Sequence, residues 1–369
     1  MRICSPQLGL SPQSILGGEI YDRQILKYLA NLGVEVEICL PLFKPYGKVR
    51  GWHVRYIPIP FVIPPYVYNL WVLPYLISQY KRMPFEILRI HSPGFIGLAG
   101  IIFKKMFPRV KLVTVHHWLG EGGWVERIID PYLLPLSDVI ICDSFRTREI
   151  LEQSNTKIKG KVWTIHNGVD EILRPKKKSK KLLRDLGIPS EANVLFFMGL
   201  FIKRKNPFFL LPILKKVQMK YPNTHLIFCG VGSLKNQLIE DAESLNLAKN
   251  VHIVGPVFAE KKCELMNLAD IYVHPAVNEG FSLAVIEAMA CGIPVIITDG
   301  FSAQEAVTDG REGFICKTEE EWVGKINLLL KNSRLKKRMK AASLKKVKKE
   351  FKWDIAAKKH LSLFQKLLR

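Results

Sequence analysis

The chain has 369 residues, 48% of them hydrophobic, and a formal net charge of +22. That length exceeds one ordinary core and sets two domains of roughly 150 to 200 residues as the prior. Seven cysteines (Cys4, Cys39, Cys142, Cys229, Cys263, Cys291, Cys316) are scattered without a CxxC pair, which argues against a zinc framework and a secreted disulfide scaffold and points to a reducing cytoplasm. The N-terminus, MRICSPQLGLSPQ, has no apolar core of signal-peptide length.

Residues 1 to 40 read as a first β-α-β unit: a strand (MRICSP), a loop with Gly17 and Gly18, a helix from about Glu19 to Leu32 and a strand from Val34 to Cys39. A glycine pair ahead of a helix can bring backbone N–H groups against a phosphate or a sugar. From Tyr56 to Tyr80 there is no charge for 25 residues, a length that would permit a membrane span. Pro58, Pro60, Pro64, Pro65 and Pro74 argue otherwise, because each removes a backbone donor. The stretch, with Phe61, Tyr66, Tyr68, Trp71 and Tyr75, is a loop and helix that packs in the core or lies at a membrane interface. EILRIHSPG and VKLVTVHHWLG read as two further strands. Each ends in histidine (His91; His116 and His117) near the carboxyl end, where open parallel sheets bind ligands. A histidine so placed is more often a satisfied structural residue.

PKKKSKKLLRDLGIP after Arg174 is a charged connector that suits a hinge, and the strand NVLFFMGL opens a second domain. HLIFCGVGS is a strand running into a GxG turn, which lacks the third glycine of a dinucleotide fingerprint; no GxxxxGK[ST] occurs, so neither a dehydrogenase nor a P-loop NTPase is supported. Residues 271 to 300, IYVHPAVNEGFSLAVIEAMACGIPVIITDG, then assemble a strand, a glycine turn, a helix, a glycine stop and a second strand. Asn278 and Gly280 break the first strand, and Ser282 sits where an N-cap would accept a bond from a free N–H. Leu283, Ile286 and Ala290 share a helical face, and Gly292 supplies a left-handed C′ residue. Such a helix start favours an anion. Glu279 and Glu287 could be up to about 12 Å apart at a rise of ~1.5 Å per residue, wider than the roughly 5 to 9.5 Å of a glycosidase pair. The spacing suits two hydroxyl-bearing parts of one extended ligand. The bland reading is an ordinary crossover helix with two solvated acids.

Residues 331 to 369 hold 15 Lys or Arg against Glu350 and Asp354, for +13. An anionic membrane surface fits such charge, as does nucleic acid, or a solvated helical face with no partner. No RNA-binding motif or stacking-aromatic pattern accompanies the lysines, so nucleic acid is not expected. FKWDIAAKKHLSLFQKLL ends the chain, with Phe351, Ile355 and Leu361 to Leu363 placed on a helix.

The string E-G-F-x-L-x-x-x-E-A-M-A-x-G-x-P-V resembles the E-x7-E signature of retaining glycosyltransferases of family four, the group 1 glycosyltransferases. The resemblance implies an α/β GT-B fold, two Rossmann-like domains facing across a cleft. Domains are expected at 1–172 (acceptor side) and 173–350 (nucleotide-sugar side), with 351–369 a helix crossing back to the first. It implies that Glu279 contacts the donor sugar, that Glu287 holds the ribose, and that Gly280, Phe281, Ser282 and Leu283 face the diphosphate. It puts Gly17 and Gly18 at the donor and His116, at the end of T-V-H, against the sugar. LSDVIICDS and KVWTIHNGVD match the family's segments that close the first domain. FSAQEAVTDGREGFIC matches a later one, with Glu305 at its acid. GLFIKRKNP matches G-R-L-x-x-x-K-N at Lys205 and Asn206, but Leu200 replaces the arginine. Arg204 or Lys203 could supply that cation, and an arginine suits bidentate contact with phosphate.

The implied function is transfer of a sugar from a nucleoside diphosphate sugar to the hydroxyl of a sugar or lipid-linked acceptor, with retention, in glycolipid or cell-surface polysaccharide synthesis. Catalytic roles fall to Glu279, His116 and Lys205. No Asp-x-Asp occurs, so metal independence and no cofactor are expected. The place implied is the cytoplasm, where nucleotide sugars are made, or the cytoplasmic face of a membrane as a peripheral protein. Sugar-nucleotide epimerases share this architecture but lack the E-G-F string. A basic nucleic-acid-binding protein with a Rossmann-like body is a third reading.

Overall fold

The computed structural model describes residues 1–59, 67–91, 93–117, 124–300 and 302–369. The expectations on Pro60, Phe61, Pro64, Pro65 and Tyr66, and the motif positions Ser92, Trp118 to Gly120 and Phe301, lie outside these. The chain forms two compact units, Met1–Asn167 with Trp353–Arg369, and Gly168–Lys352. The sequence set these junctions at 172 and 350.

The first unit contains β1 (Arg2–Pro6), α1 (Gly17–Asn31), β2 (Glu35–Pro41), β3 (Trp52–Ile57), α2 (Tyr68–Arg82), β4 (Ile87–His91) and α3 (Pro93–Met106). It continues with β5 (Lys111–His116), α4 (Trp124–Leu136), β6 (Val139–Cys142), α5 (Phe145–Ser154) and β7 (Val162–Thr164). The seven strands pair in parallel in the order β3-β2-β1-β4-β5-β6-β7. Parallel strands need crossover helices on their faces, which is why apolar strand and helical patterns alternate along the chain. Helix α1 starts two residues earlier than expected, so Gly17 and Gly18 are its first residues rather than its approach. The uncharged stretch becomes the end of β3 and helix α2, which buries Tyr68, Asn69, Val72, Leu76 and Gln79 and leaves Leu70 and Trp71 exposed. Among the described residues no helix is long and apolar enough to cross a membrane.

The second unit contains α6 (Lys180–Asp185), β8 (Asn193–Met198), α7 (Leu210–Gln218), β9 (Thr224–Cys229), α8 (Lys235–Ser244), β10 (Val251–Val254) and α9 (Ala259–Met266). After these come β11 (Ile271–His274), α10 (Leu283–Ala290), β12 (Val295–Thr298), β13 (Gly313–Cys316), α11 (Glu319–Lys331) and α12 (Ser333–Glu350). Its six parallel strands run β10-β9-β8-β11-β12-β13. Helix α10 is buried on nearly all sides, and Gly292 stops it at φ +71°. The basic α12 packs Met339, Ser343 and Val347 inward and turns its lysines outward. Phe351 is not on the last helix: it follows α12 and packs on Phe281, with ring centroids 5.4 Å apart. The last helix, α13 (Trp353–Leu368), belongs to the first unit and buries Trp353, Ala356, Ala357, His360, Leu363 and Phe364. Its His360 Nε2 lies 3.0 Å from the Tyr21 hydroxyl of α1.

The turn after β8 is pressed into the turn after β9. A Cβ at Gly230 (φ +153°) would come within 1.9 Å of the Gly199 carbonyl oxygen, and one at Gly232 within 2.3 Å of the Phe201 carbonyl oxygen. Backbone cannot yield as a side-chain tip can. Gly232→Ala is expected to destabilise the protein by about 1–3 kcal/mol. Gly324→Ala, on the exposed face of α11 with open space at the Cβ, should stabilise it by about 0.5–1 kcal/mol. Urea midpoints of the two variants falling on the same side of wild type would contradict this packing.

On β9 and β10, His225 Nδ1 and His252 Nε2 lie 2.9 Å apart. Burial lowers His225, and burial with His225 beside it pushes His252 down to about 4. The unfolded chain therefore takes up protons below its ordinary histidine value of about 6.5 that the folded chain refuses. The pair's contribution to stability is complete above about pH 6.5 and is lost as pH falls toward 4. His252→Gln should flatten the fall in urea midpoint across that window, and an unchanged slope would count against the pair.

Candidate functional site

In the second sheet the strand order reverses between β8 and β11, with β9 and β10 to one side and β12 and β13 to the other. Loops leaving adjacent strands at such a point part and open a crevice at the carboxyl ends. The loops after β8 and β11 carry Lys205 and Glu279. The Val277 N–H donates to the Arg204 carbonyl at 2.7 Å and ties the two loops together, while Asn206 and Asn278 take left-handed backbone at φ +49° and +52°.

Glu279 is 7% exposed and is bracketed. Oε1 contacts the Lys205 ammonium, and Oε2 accepts from His274 Nε2 at 2.6 Å. Burial, with Lys205 adding to it, pushes His274 well below the usual histidine value. The ring is then neutral and donates its one N–H to the carboxylate. Its other nitrogen, Nδ1, lies 3.4 Å from the Tyr272 hydroxyl, which reaches the Met198 carbonyl at 3.2 Å. Burial, then Arg204, lowers the Lys205 ammonium to about 7; contact with the Glu279 carboxylate opposes that fall. Arg204 is half-buried and close enough to act electrostatically on Lys205, whereas Lys203 is exposed. Leu200, where the cation is missing, is half-buried, and of the two residues that could stand in for it Arg204 lies nearer the Lys205 ammonium in burial and charge.

Glu287, on α10, is also 7% exposed and pairs with the Lys262 ammonium of α9. Neither acid is a solvated crossover residue. Ser282 occupies the N-cap of α10 with extended backbone, as expected, but its hydroxyl accepts no capping bond. That expectation is corrected: Ser282 Oγ is buried and without a hydrogen-bond partner. The first α10 amides have no intrahelical acceptor, so the unsatisfied hydroxyl sits at a helix start whose N–H groups the helix itself does not engage. Gly280 lies in the turn before it, Phe281 is buried on Phe351, and Leu283 opens the helix half-buried.

The first sheet has its own reversal, between β1 and β4. Gly17 and Gly18 open α1 there, and a Cβ on Gly18 would meet His91 Cε1 at 2.9 Å. Behind them Asp22 contacts His91 Nδ1 and pairs with the fully buried Arg89 guanidinium at 2.6 Å. Burial acts to raise the Asp22 carboxyl, but Arg89 and then His91 hold it well below the usual range. His117 accompanies them: its ring lies 4.4 Å from Tyr21 and 4.9 Å from His91, and its Nδ1 lies 2.9 Å from Asp143 Oδ2. His116, the residue favoured from the sequence, is buried and has its Nε2 3.2 Å from Asp130 Oδ2 of α4. Among the described residues no group of three or more His, Cys, Asp or Glu side chains is placed to hold a metal ion.

His274, Lys262, Asp22 and Arg89 were not singled out in the sequence. His274 carried a signal, since strand alternation puts it on the face of Tyr272 at a strand's carboxyl end. Arg89, a charge inside an apolar strand, carried another.

Residues 178–346 match the family model of group 1 glycosyl transferases, and residues 15–172 match that of Glycosyltransferase Family 4. The chain is 25% identical to a D-inositol 3-phosphate glycosyltransferase of Corynebacterium urealyticum, over 95% of this chain and 91% of that one. It is 24% identical to the N-acetyl-alpha-D-glucosaminyl L-malate synthase of Bacillus anthracis, over 99% and 96%. Its fold is that of the sucrose-phosphate synthase of Thermosynechococcus elongatus, with a TM-score of 0.86, 18% identity and 99% and 98% of the two chains covered. It is also that of Anabaena HepE, solved with UDP and glucose, with a TM-score of 0.81, 18% identity and 99% and 100% covered. With two parallel-sheet Rossmann-like units of the GT-B fold, and both family models matched in chain order, this chain belongs to the group 1 glycosyltransferases of family four.

Proposed function

We propose that the chain transfers a sugar from a nucleoside diphosphate sugar to an acceptor hydroxyl with retention, without metal or cofactor. The acceptor is a sugar or a lipid-linked sugar at the cytoplasmic membrane face, as in glycolipid or cell-surface polysaccharide synthesis. The observation that carries the reading is the bracketed Glu279 at the β8/β11 reversal, beside a helix start with an unsatisfied Ser282. A buried carboxylate whose two oxygens are fixed by His274 and Lys205 is rigid enough to orient the sugar ring. The α10 amides, Ser282 Oγ, Lys205 and Arg204 offer donors and positive charge to a leaving diphosphate. Glu287, held by Lys262, suits the ribose; Gly17, Gly18 and His116, all of the first unit, are assigned to donor binding in this reading. UDP-glucose is the first donor to test, because HepE holds it in its crystals.

In this mechanism the bond from the anomeric carbon to the β-phosphate oxygen breaks as the acceptor oxygen bonds to the same carbon on the same face. The acceptor proton passes to the departing phosphate oxygen. The electrons of the broken bond stay on the diphosphate, so the developing charge is what the protein must stabilise. Removing one such donor elsewhere costs about 10²–10³ in rate, which sets the scale for Lys205.

Glu279→Ala should lower kcat by about a hundredfold or more while leaving UDP affinity in calorimetry unchanged; loss of UDP binding by the folded variant would refute its assigned role. His274→Leu should reduce kcat more than it raises KM, by up to about a hundredfold through misorientation of Glu279. His274→Gln, which keeps a donor, should recover part of the loss. Equal falls in both variants, with no kcat bias, would remove His274 from the site's positioning. Turnover of radiolabelled donor should persist in a chelator, and abolition reversed by Mn2+ would sink the metal-free reading. Donor consumed with no acceptor present would favour epimerisation.

A further inference from the structure

We propose that the outer face of the α2–α3–α4 helical layer docks on an anionic lipid surface. This deepens the membrane-face part of the function proposed above and rests on that reading only for where the acceptor resides; the docking itself needs neither donor nor acceptor.

The three helices cover one face of the first sheet. Val72 and Leu76 of α2, Ile96 and Phe103 of α3 and Leu133 of α4 share a single core with Leu88, Ile90 and Leu112 of the strands. Helix α3 packs against both α2 and α4. What these helices turn away from that core is apolar as well. Leu70 is 69% exposed, Tyr132 66%, Ile128 57% and Trp71 45%, with Leu98 and Ile102 also exposed between them. Scattered single apolar residues are normal on a soluble surface, but large ones on three adjacent helices mark an interaction face.

Charge chooses the occupant. Helices α2 and α3 contain no acidic residue and end in Lys81–Arg82 and Lys104–Lys105, while the acids of α4 are Glu126 and Asp130, the latter taken by His116. Lys81, Arg82 and Lys105 are exposed, as is Arg127 on α4. Lys104 is taken by Asp138 at 2.8 Å. An apolar protein partner would bury this face without calling for cations at the helix ends. A layer of anionic headgroups over acyl chains satisfies both at once, with Trp and Tyr at the boundary where their rings are at home.

Helix α12, the most basic element, lacks the second component. No large apolar side chain is exposed between Ser333 and Glu350, since Met339 and Val347 point inward. It carries charge without the apolar component that insertion needs.

The test is flotation of the full chain with vesicles of phosphatidylcholine alone or with roughly a third phosphatidylglycerol, without donor or acceptor. The chain should float with the anionic vesicles, less so as salt rises from about 0.1 M to about 0.5 M, and not with the neutral ones. The triple variant Trp71→Ser, Ile102→Ser, Tyr132→Ser should reduce the bound fraction by about tenfold while thermal midpoint and soluble-acceptor turnover stay at wild type. Lys81→Glu, Arg82→Glu, Lys105→Glu should do the same. Lys337→Glu, Arg338→Glu, Lys348→Glu on α12 should keep most of the binding. The proposal is overturned if folded wild type binds neither vesicle, if the apolar triple variant floats as wild type does, or if the α12 variant alone abolishes binding. A dimer in light scattering that the apolar variant dissolves would also overturn it, by making a second copy the occupant. Binding without turnover would fault the transfer reading instead, and turnover without binding would fault only the docking.

Discussion

The buried Glu279 carboxylate, held between a neutral histidine and a lysine ammonium, is the interaction on which the second unit's site depends. An isolated carboxylate that far from water would cost several kcal/mol and would take up a proton instead. Here His274, at the end of β11, supplies a hydrogen bond and Lys205, from the loop after β8, the opposite charge. Removing one partner of such a pair costs roughly 3–5 kcal/mol, because it strands the other charge. The pair therefore fixes the loops after β8 and β11 as it fixes the carboxylate. The glycines at 230 and 232 serve the same end, since backbone approach there leaves no room for a Cβ and presses the β8 turn into place. Rigidity of this kind is what the proposed orientation of a donor sugar by Glu279 requires.

The first unit solves a related problem by a different route. Arg89 is fully buried against Tyr21 of α1, and Asp22 answers it at 2.6 Å. Tyr21, His91, His117 and His360 close around the pair, so the start of α1 rests on a polar cluster and the last helix, α13, is fastened to it through His360. Burial pushes the His91 and His360 rings down, which keeps the net charge of this cluster low despite its many titratable groups.

Position in a parallel sheet explains why these groups gather where they do. Side chains at the carboxyl ends of β1, β4, β8 and β11 meet loops that diverge at a strand-order reversal, and helix starts point at the same places. The apolar outer face of α2, α3 and α4 is a separate feature. Nothing in the fold's own packing needs Trp71 or Tyr132 at the surface.

By itself the sequence determined the alternation of strands and helices, the two-unit organisation and the thirty residues from Ile271 to Gly300, because these depend on short-range spacing: apolar periodicity, a glycine just past a helix end, two acids eight positions apart. It also showed that Leu200 breaks the expected pattern. Only the tertiary structure decided what those acids touch. Asp22 and His91 are 69 residues apart in the chain, and Lys205 and Glu279 come from strands made neighbours only by sheet order, so no local pattern pairs them. The same reason hid the uncapped Ser282: its position followed from the turn, but whether its hydroxyl reached a helix amide depended on backbone placement that spacing does not encode. That Arg204 is half-buried beside Lys205 while Lys203 is exposed is likewise a property of the packed chain and not of its order.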